Sequence, residues 1–228
     1  MFTFDQRYAY SVGRTRVLET RLLDRGKIER LIESRDFEEA LKVLSETEYS
    51  SLIGNSRSFE DCEKAFQEEL ARVYGVLRDM APDPDLVGIF LARYDFHNLK
   101  VVLKARLTGA PEDMAGISGF GLLSIEALRK AVSEGDARGL PEDYREAVAR
   151  GVALLSDSSK FEGGGLIADA GPTPQAVDIL VDREMYGFLI RKAWALRIPF
   201  LVEIFSKEVD LLNLRIWVRS KVMGMDKA

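Results

Sequence analysis

Apolar residues recur at helical spacing along most of the chain, and no two-residue alternation persists long enough to read as a strand. Tyr8, Val12 and Leu18 lead through Leu22 and Leu23 to Ile28 and Leu31, so residues 7–33 carry helical spacing. Residues 38–47, "EEALKVLSET", predict a short helix, and "EYSSLIGNSRS" a loop. A strong helix follows, with Ser58 as N-cap, Glu60 and Asp61 in its first turn, and "APDPD" at its end. After Leu86–Tyr94 comes "YDFHNLKVVLKARLTG", Tyr94 to Gly109, and then "TGAPEDMAGISGFG" (Thr108–Gly121), a Gly-rich boundary. Helices are predicted at 123–134, 141–156 and 175–196, with a flexible loop over 157–174, a short segment after Pro199, and a last helix ending at Gly224. The fold class is all-α.

One helix is written twice. "VDLLNLRIWVRSKVMG" (Val209–Gly224) repeats the pattern of Tyr94–Gly109 at a separation of 115 residues. Asp95 falls on Asp210, Asn98 on Asn213, Lys100 on Arg215, Lys104 on Arg219 and Gly109 on Gly224. Apolar positions of amphipathic helices match by chance, but Asp, Asn and Gly at fixed spacing do so much less easily. Asp95 and Asp210 read as N-caps or first-turn acids. Asn98 and Asn213 read as residues serving local backbone near a helix start, and the glycines as left-handed C′ positions. Two further matches keep the same order, Leu22–Asp36 with Leu122–Asp136 and Val73–Leu77 with Met185–Leu189. The chain therefore reads as two versions of one helical module, lobe one over 1–109 and lobe two over 110–228.

The 228 residues suffice for one large domain or two small ones. Asp and Glu number 37 against 32 Lys and Arg, a net charge of −5, which disfavours a nucleic-acid partner. No apolar run reaches the roughly 18 residues that would suggest a membrane span, and the first residues lack the apolar core of a signal peptide. The lone Cys62 forms no internal disulfide and fits a reducing, cytoplasmic setting.

Chemistry is sparse. His97 is the one histidine and reads as structural or solvated. "GISGFG" and "FEGGGLIADAG" lack the strand and the Gly-Lys-Ser/Thr ending of a phosphate loop. Asp178 and Asp182 share a helix face near Glu184 and could contribute to a metal site, but the simpler reading pairs Asp182 with a nearby Lys or Arg. No serine–histidine–acid arrangement exists. Neither a catalytic residue nor a cofactor is expected. Arg14, Arg16, Lys100, Lys104, Arg215 and Arg219 read either as partner contacts or as solvated faces.

"YAYSVGRTRVLETRLL", "RDFEEALKVLSETEY", "YDFHNLKVVLKARLTG", "VDILVDREMYGFL" and "VDLLNLRIWVRSKVMG" together resemble the C subunit of the archaeal and bacterial V/A-type rotary ATPases, a relative of the d subunit of the eukaryotic V-type ATPase. The resemblance runs from about Tyr8 to Gly224. It implies a funnel of three helical lobes about a pseudo-threefold axis, seated on the cytoplasmic face of the membrane rotor ring and holding the foot of the central shaft. It implies torque passed between ATP synthesis or hydrolysis and proton or sodium transport, no catalytic residue, and peripheral attachment without membrane insertion. Two lobes fit within these residues, and a third would take roughly 100 more. The face meant for that third lobe is expected near Asp210–Gly224, where it could also support self-association. A generic helical-repeat adaptor is the alternative.

Overall fold

The computed structural model describes residues 6–54, 56–111, 116–156 and 172–222. Among these, every regular element is helical. A 3₁₀ turn at Gln6–Tyr8 leads into α1 (Ala9–Glu19), followed by α2 (Arg25–Ile32), α3 (Phe37–Ser45), α4 (Ser50–Ile53), α5 (Phe59–Met80), α6 (Pro84–Thr108), α7 (Ile125–Glu134), α8 (Glu142–Ser156), α9 (Pro174–Ala195) and α10 (Pro199–Val222). The chain forms two compact units, Met1–Val87 and Gly88–Ala228.

In the first unit, α2 packs on α3, α3 on α4 and α4 on α5. Among its described residues Val43, Leu44, Ile53, Cys62, Ala65, Met80 and Val87 are buried. The stretch 7–33 is two helices rather than one: Asp24 leaves helical geometry and its carboxylate accepts the Lys27 N–H, which starts α2 afresh. The loop after residue 47 contains the single turn α4. Ser58 caps α5 in a full capping box with Asp61. At the chain's start, Tyr8 donates its hydroxyl to Asp83, and Ser11 donates to the Met80 carbonyl. Those two bonds hold α1, which buries none of its own residues, against the α5–α6 turn.

The second unit is built on α6. α7 packs on α8, α8 on α9, and α9 on α10. Phe96 of α6 meets Phe188 of α9 and Tyr144 of α8, with ring centroids 5.4 and 5.6 Å from Phe96, and this trio centres the core. Gly151 of α8 lets α6 come close: a Cβ there would stand 2.6 Å from Leu103 Cδ1.

The signature helices start earlier than the spacing implied. α6 begins at Pro84 and α10 at Pro199, so Asp95 and Asp210 are each the twelfth residue of their helix, not N-caps. The acids belong mid-helix because a proline at the first position supplies the start, where its missing N–H costs nothing. At the same separation of 115, Pro84, Leu86, Val87, Ile89 and Phe90 fall on Pro199, Leu201, Val202, Ile204 and Phe205. The duplication thus covers the whole helix. Gly109 follows α6 at φ +65°, as a C′ glycine should. Gly224, and the 157–174 loop except for Pro172–Pro174, lie outside the described residues.

Order and length repeat as well. α5 and α9 have 22 residues each, and α6 and α10 have 25 and 24. Asp24 and Ser124, equivalent in the Leu22/Leu122 alignment, are both N-caps and accept from the N–H groups of Lys27 and Ala127.

Candidate functional site

Three neighbouring polar positions of α6 hold the segment 116–123 by its backbone. His97 Nε2–H donates to the Gly116 carbonyl at 2.7 Å. Asn98 grips the backbone of one residue at both ends: its Nδ2 donates to the Ser118 carbonyl at 2.9 Å and its Oδ1 accepts the Ser118 N–H at 2.8 Å. Asp95 Oδ1 accepts the Leu123 N–H at 2.9 Å, one residue before the Ser124 cap of α7, and Oδ2 accepts the Tyr144 hydroxyl at 2.9 Å. Asp95 and Asn98 are buried, so these bonds substitute for water on both side chains. Asn98 therefore serves distant backbone rather than the local backbone expected of it.

Burial pushes the Asp95 carboxyl up, while the main-chain N–H groups of Leu123 and Leu122 and the Tyr144 hydroxyl pull it back down. Burial and the Asp95 charge push the Tyr144 phenol up, so it stays protonated and donates. Gly121 is required here for space: a Cβ would lie 2.3 Å from Asp95 Oδ1. "GISGFG" is thus a loop shaped around a carboxylate, which would repel a phosphate. "FEGGGLIADAG" lies outside the described residues.

The opposite side of α6 carries ion pairs. Lys100 Nζ meets Asp182 at 2.6 Å, and Lys104 Nζ meets Asp178 at 2.7 Å. Asp182 is paired with a lysine, as the simpler reading had it, and Lys100 and Lys104 are half-buried braces rather than solvated faces. Buried Glu184 accepts from Arg150 at 2.9 Å. Asp178, Asp182 and Glu184 therefore spend their charge on three cations, and no group of three potential metal ligands gathers among the described residues. Arg14 donates to the Tyr10 hydroxyl and Arg16 to Glu19, both at the surface. Arg215 and Arg219 are exposed on α10.

Arg93 is a joint that no spacing rule reveals. Its guanidinium pairs with Glu208, the equivalent position of α10, and lies over the rings of Phe205 and Tyr186. Tyr144, Gly121, Arg93 and Glu208 all carry contacts between segments distant in sequence. Only the glycine left a trace, in "GFG".

Asp210 and Asn213 sit in the opposite condition. Both are exposed, and so is the apolar surface beside them. The equivalents of Phe96, Leu99, Val102 and Leu103 are Leu211, Leu214, Trp217 and Val218. The first four are at most 4% exposed and the second four at least 45%.

Buried polar side chains here grip backbone and brace helices, so the chain is an all-helical protein whose buried polar groups hold its own elements together. The profile of the ATP synthase (C/AC39) subunit family matches residues 11–228, and the chain belongs to that family. It is 26% identical to the C subunit of the V-type sodium ATPase of Enterococcus hirae over 196 residues, 86% of this chain and 55% of that protein. It is 31% identical to the C subunit of the A-type ATP synthase of Methanocaldococcus jannaschii over 175 residues, 71% of this chain and 44% of that one. The corresponding V-type ATP synthase protein of Thermus thermophilus is 26% identical over 215 residues, 91% and 61% respectively. The chain spans about half the length of the curated relatives it matches. No described helix is long and apolar enough to cross a membrane.

Proposed function

We propose that this chain acts as a non-catalytic rotor element of a V/A-type ATPase, coupling the central shaft to the membrane ion-translocating ring. The observation that carries this is the family match over residues 11–228, joined to a helical body whose buried polar groups are consumed in bracing. A coupler must transmit torque without yielding. Close-packed helices cross-linked by Asp95–Tyr144, Asn98–Ser118 and Lys100–Asp182 resist shear better than apolar contacts alone, which slide. The repeat supplies two lobes, 1–109 and 110–228, of a funnel about a pseudo-threefold axis. In this role the chain binds at the cytoplasmic face, through the shaft foot on one side and the polar loops of the ring on the other.

The test is affinity purification of the tagged chain from cells that express the whole ATPase, after detergent extraction. Shaft and ring proteins should copurify in fixed ratio. Recovery of neither, or of unrelated proteins in their place, would replace this reading with that of a general helical adaptor.

A further inference from the structure

We propose that the cleft between the second half of α6 and α7 binds a small organic polyphosphate, a di- or triphosphate carried on a flat apolar group. The proposal does not rest on the rotor reading. The cleft holds about 750 Å³, within the range of small-molecule sites. Val102, Ala105 and Val132 form its floor, and Arg106, Arg129 and Lys130 its rim.

Charge sets this cleft apart. In a chain with a net charge of −5 it gathers three cations, and no Asp or Glu is among its described lining residues. The other Lys and Arg residues of α6 behave differently: Arg93, Lys100 and Lys104 each meet a carboxylate of α9 or α10. Arg106 meets none among the described residues. Lys130 also differs from its counterpart in the Leu22/Leu122 alignment, Arg30, which pairs with Glu46 at 2.9 Å. Arg129 stands where α2 has Glu29. The acids that flank the rim are engaged elsewhere. Asp136 feels the charge of Lys130 but binds Arg138 through both oxygens, and Glu126, beside Arg129, accepts the Ser124 hydroxyl. The end of α6 adds a negative pole of about half an elementary charge, which three whole cations outweigh.

These residues select the ligand class. A phosphate monoester brings a charge of about −1.5 to −2 at neutral pH, so three cations match a di- or triphosphate better than a single phosphate or a carboxylate. The guanidinium groups of Arg106 and Arg129 present paired N–H donors that fit phosphate oxygens, and their planes stack on rings. The apolar floor favours a flat organic group over a bare ion. With no carboxylate in the lining to hold magnesium, the ligand binds free of that ion.

The experiment titrates the 1–228 chain calorimetrically with ADP, without magnesium and at low salt. Saturable binding of one ADP per chain is expected. Arg106→Gln with Lys130→Gln should weaken it at least about tenfold. The same double variant should keep the thermal midpoint of the free chain, because both side chains are exposed and neither braces a neighbouring helix. Arg215→Gln with Arg219→Gln, which removes two exposed cations of α10, should change the affinity by less than about twofold. Inorganic pyrophosphate should bind at least about fivefold more weakly than ADP, since it gains nothing from the floor. Three results would each overturn the proposal. They are no saturation at millimolar ADP, equal losses in the two double variants, which mark unspecific attraction, and pyrophosphate matching ADP, which leaves the floor without a role.

Discussion

α6 and α10 carry the same signature in opposite surroundings. On α6 the acid, the amide and the four apolar residues beside them are buried and satisfied. On α10 their counterparts face outward. The first halves of both helices reach the core, through different positions: Ile89 and Leu91 are buried on α6 and Leu201 and Phe205 on α10, while Phe90, the counterpart of Phe205, is exposed, and Arg93 and Glu208 tie the helices together at equivalent positions. The contrast teaches that this signature is not a helix-start signal. On α6 it is half of a latch, and the other half is the segment 116–123 that comes after the helix. It also explains the phase of the folding unit. The compact unit Gly88–Ala228 holds both signature helices, because α7, α8 and α9 pack back onto the helix that precedes them.

The contrast can be broken at several strengths. The largest effect is expected from Phe96→Ala, which opens a cavity between Tyr144 and Phe188 and should cost about 3–5 kcal/mol in urea unfolding. The equivalent Leu211→Ala should stay within about 0.5 kcal/mol, because an exposed side chain loses little. Comparable losses for the two would deny the difference in environment.

Asp95→Ala comes next. It strands the Leu123 N–H and the Tyr144 hydroxyl, and about 2 kcal/mol is expected, less than two lost partners alone imply, since a desolvated carboxylate goes too. Asp210→Ala should again be close to neutral. Gly121→Ala forces the loop away from Asp95 and should cost about 1–2 kcal/mol, with the 116–123 amides exchanging faster than in the parent chain.

The smallest effect is a slope. The folded chain raises the Asp95 pKa, so between the unfolded carboxyl's value and the raised one the folded state binds more protons. The contribution of this group to stability therefore falls as pH rises through that window and is level above it. Asp95→Asn keeps an acceptor for Leu123 and removes the titration. The variant should gain on the parent in denaturant midpoints as pH rises above the unfolded carboxyl's ordinary value, and a gap that stays constant as the pH is raised from there would contradict the assignment.

Much of this was legible in the sequence, for a physical reason. Asp, Asn and Gly at fixed spacing inside an apolar helix are costly unless something needs them, so their recurrence marks the repeat. Ser58, Gly109 and the helices over 141–156 and 175–196 follow from local chemistry, which local sequence encodes. The start of α6 is hidden because "APDPD" looks like a breaker, although Pro84 is the first residue of the helix. The signal that corrects this lies in Pro84–Phe90 and Pro199–Phe205, as shared apolar positions too ordinary to notice without the structure. The partners of Asp95, Asn98, Lys100 and Arg93 were not legible, because 20 to 115 residues separate each pair and only the folded chain closes that distance.

Native-state hydrogen exchange of the unmodified 1–228 chain compares the two copies of the signature directly. The amides of residues 96–108 should exchange near the limit set by global unfolding, and those of 211–222 at least about a hundredfold faster, by local opening. Equal protection along both stretches would mean that the second copy is already held by contacts of its own, and that the two helices do not differ in what covers them.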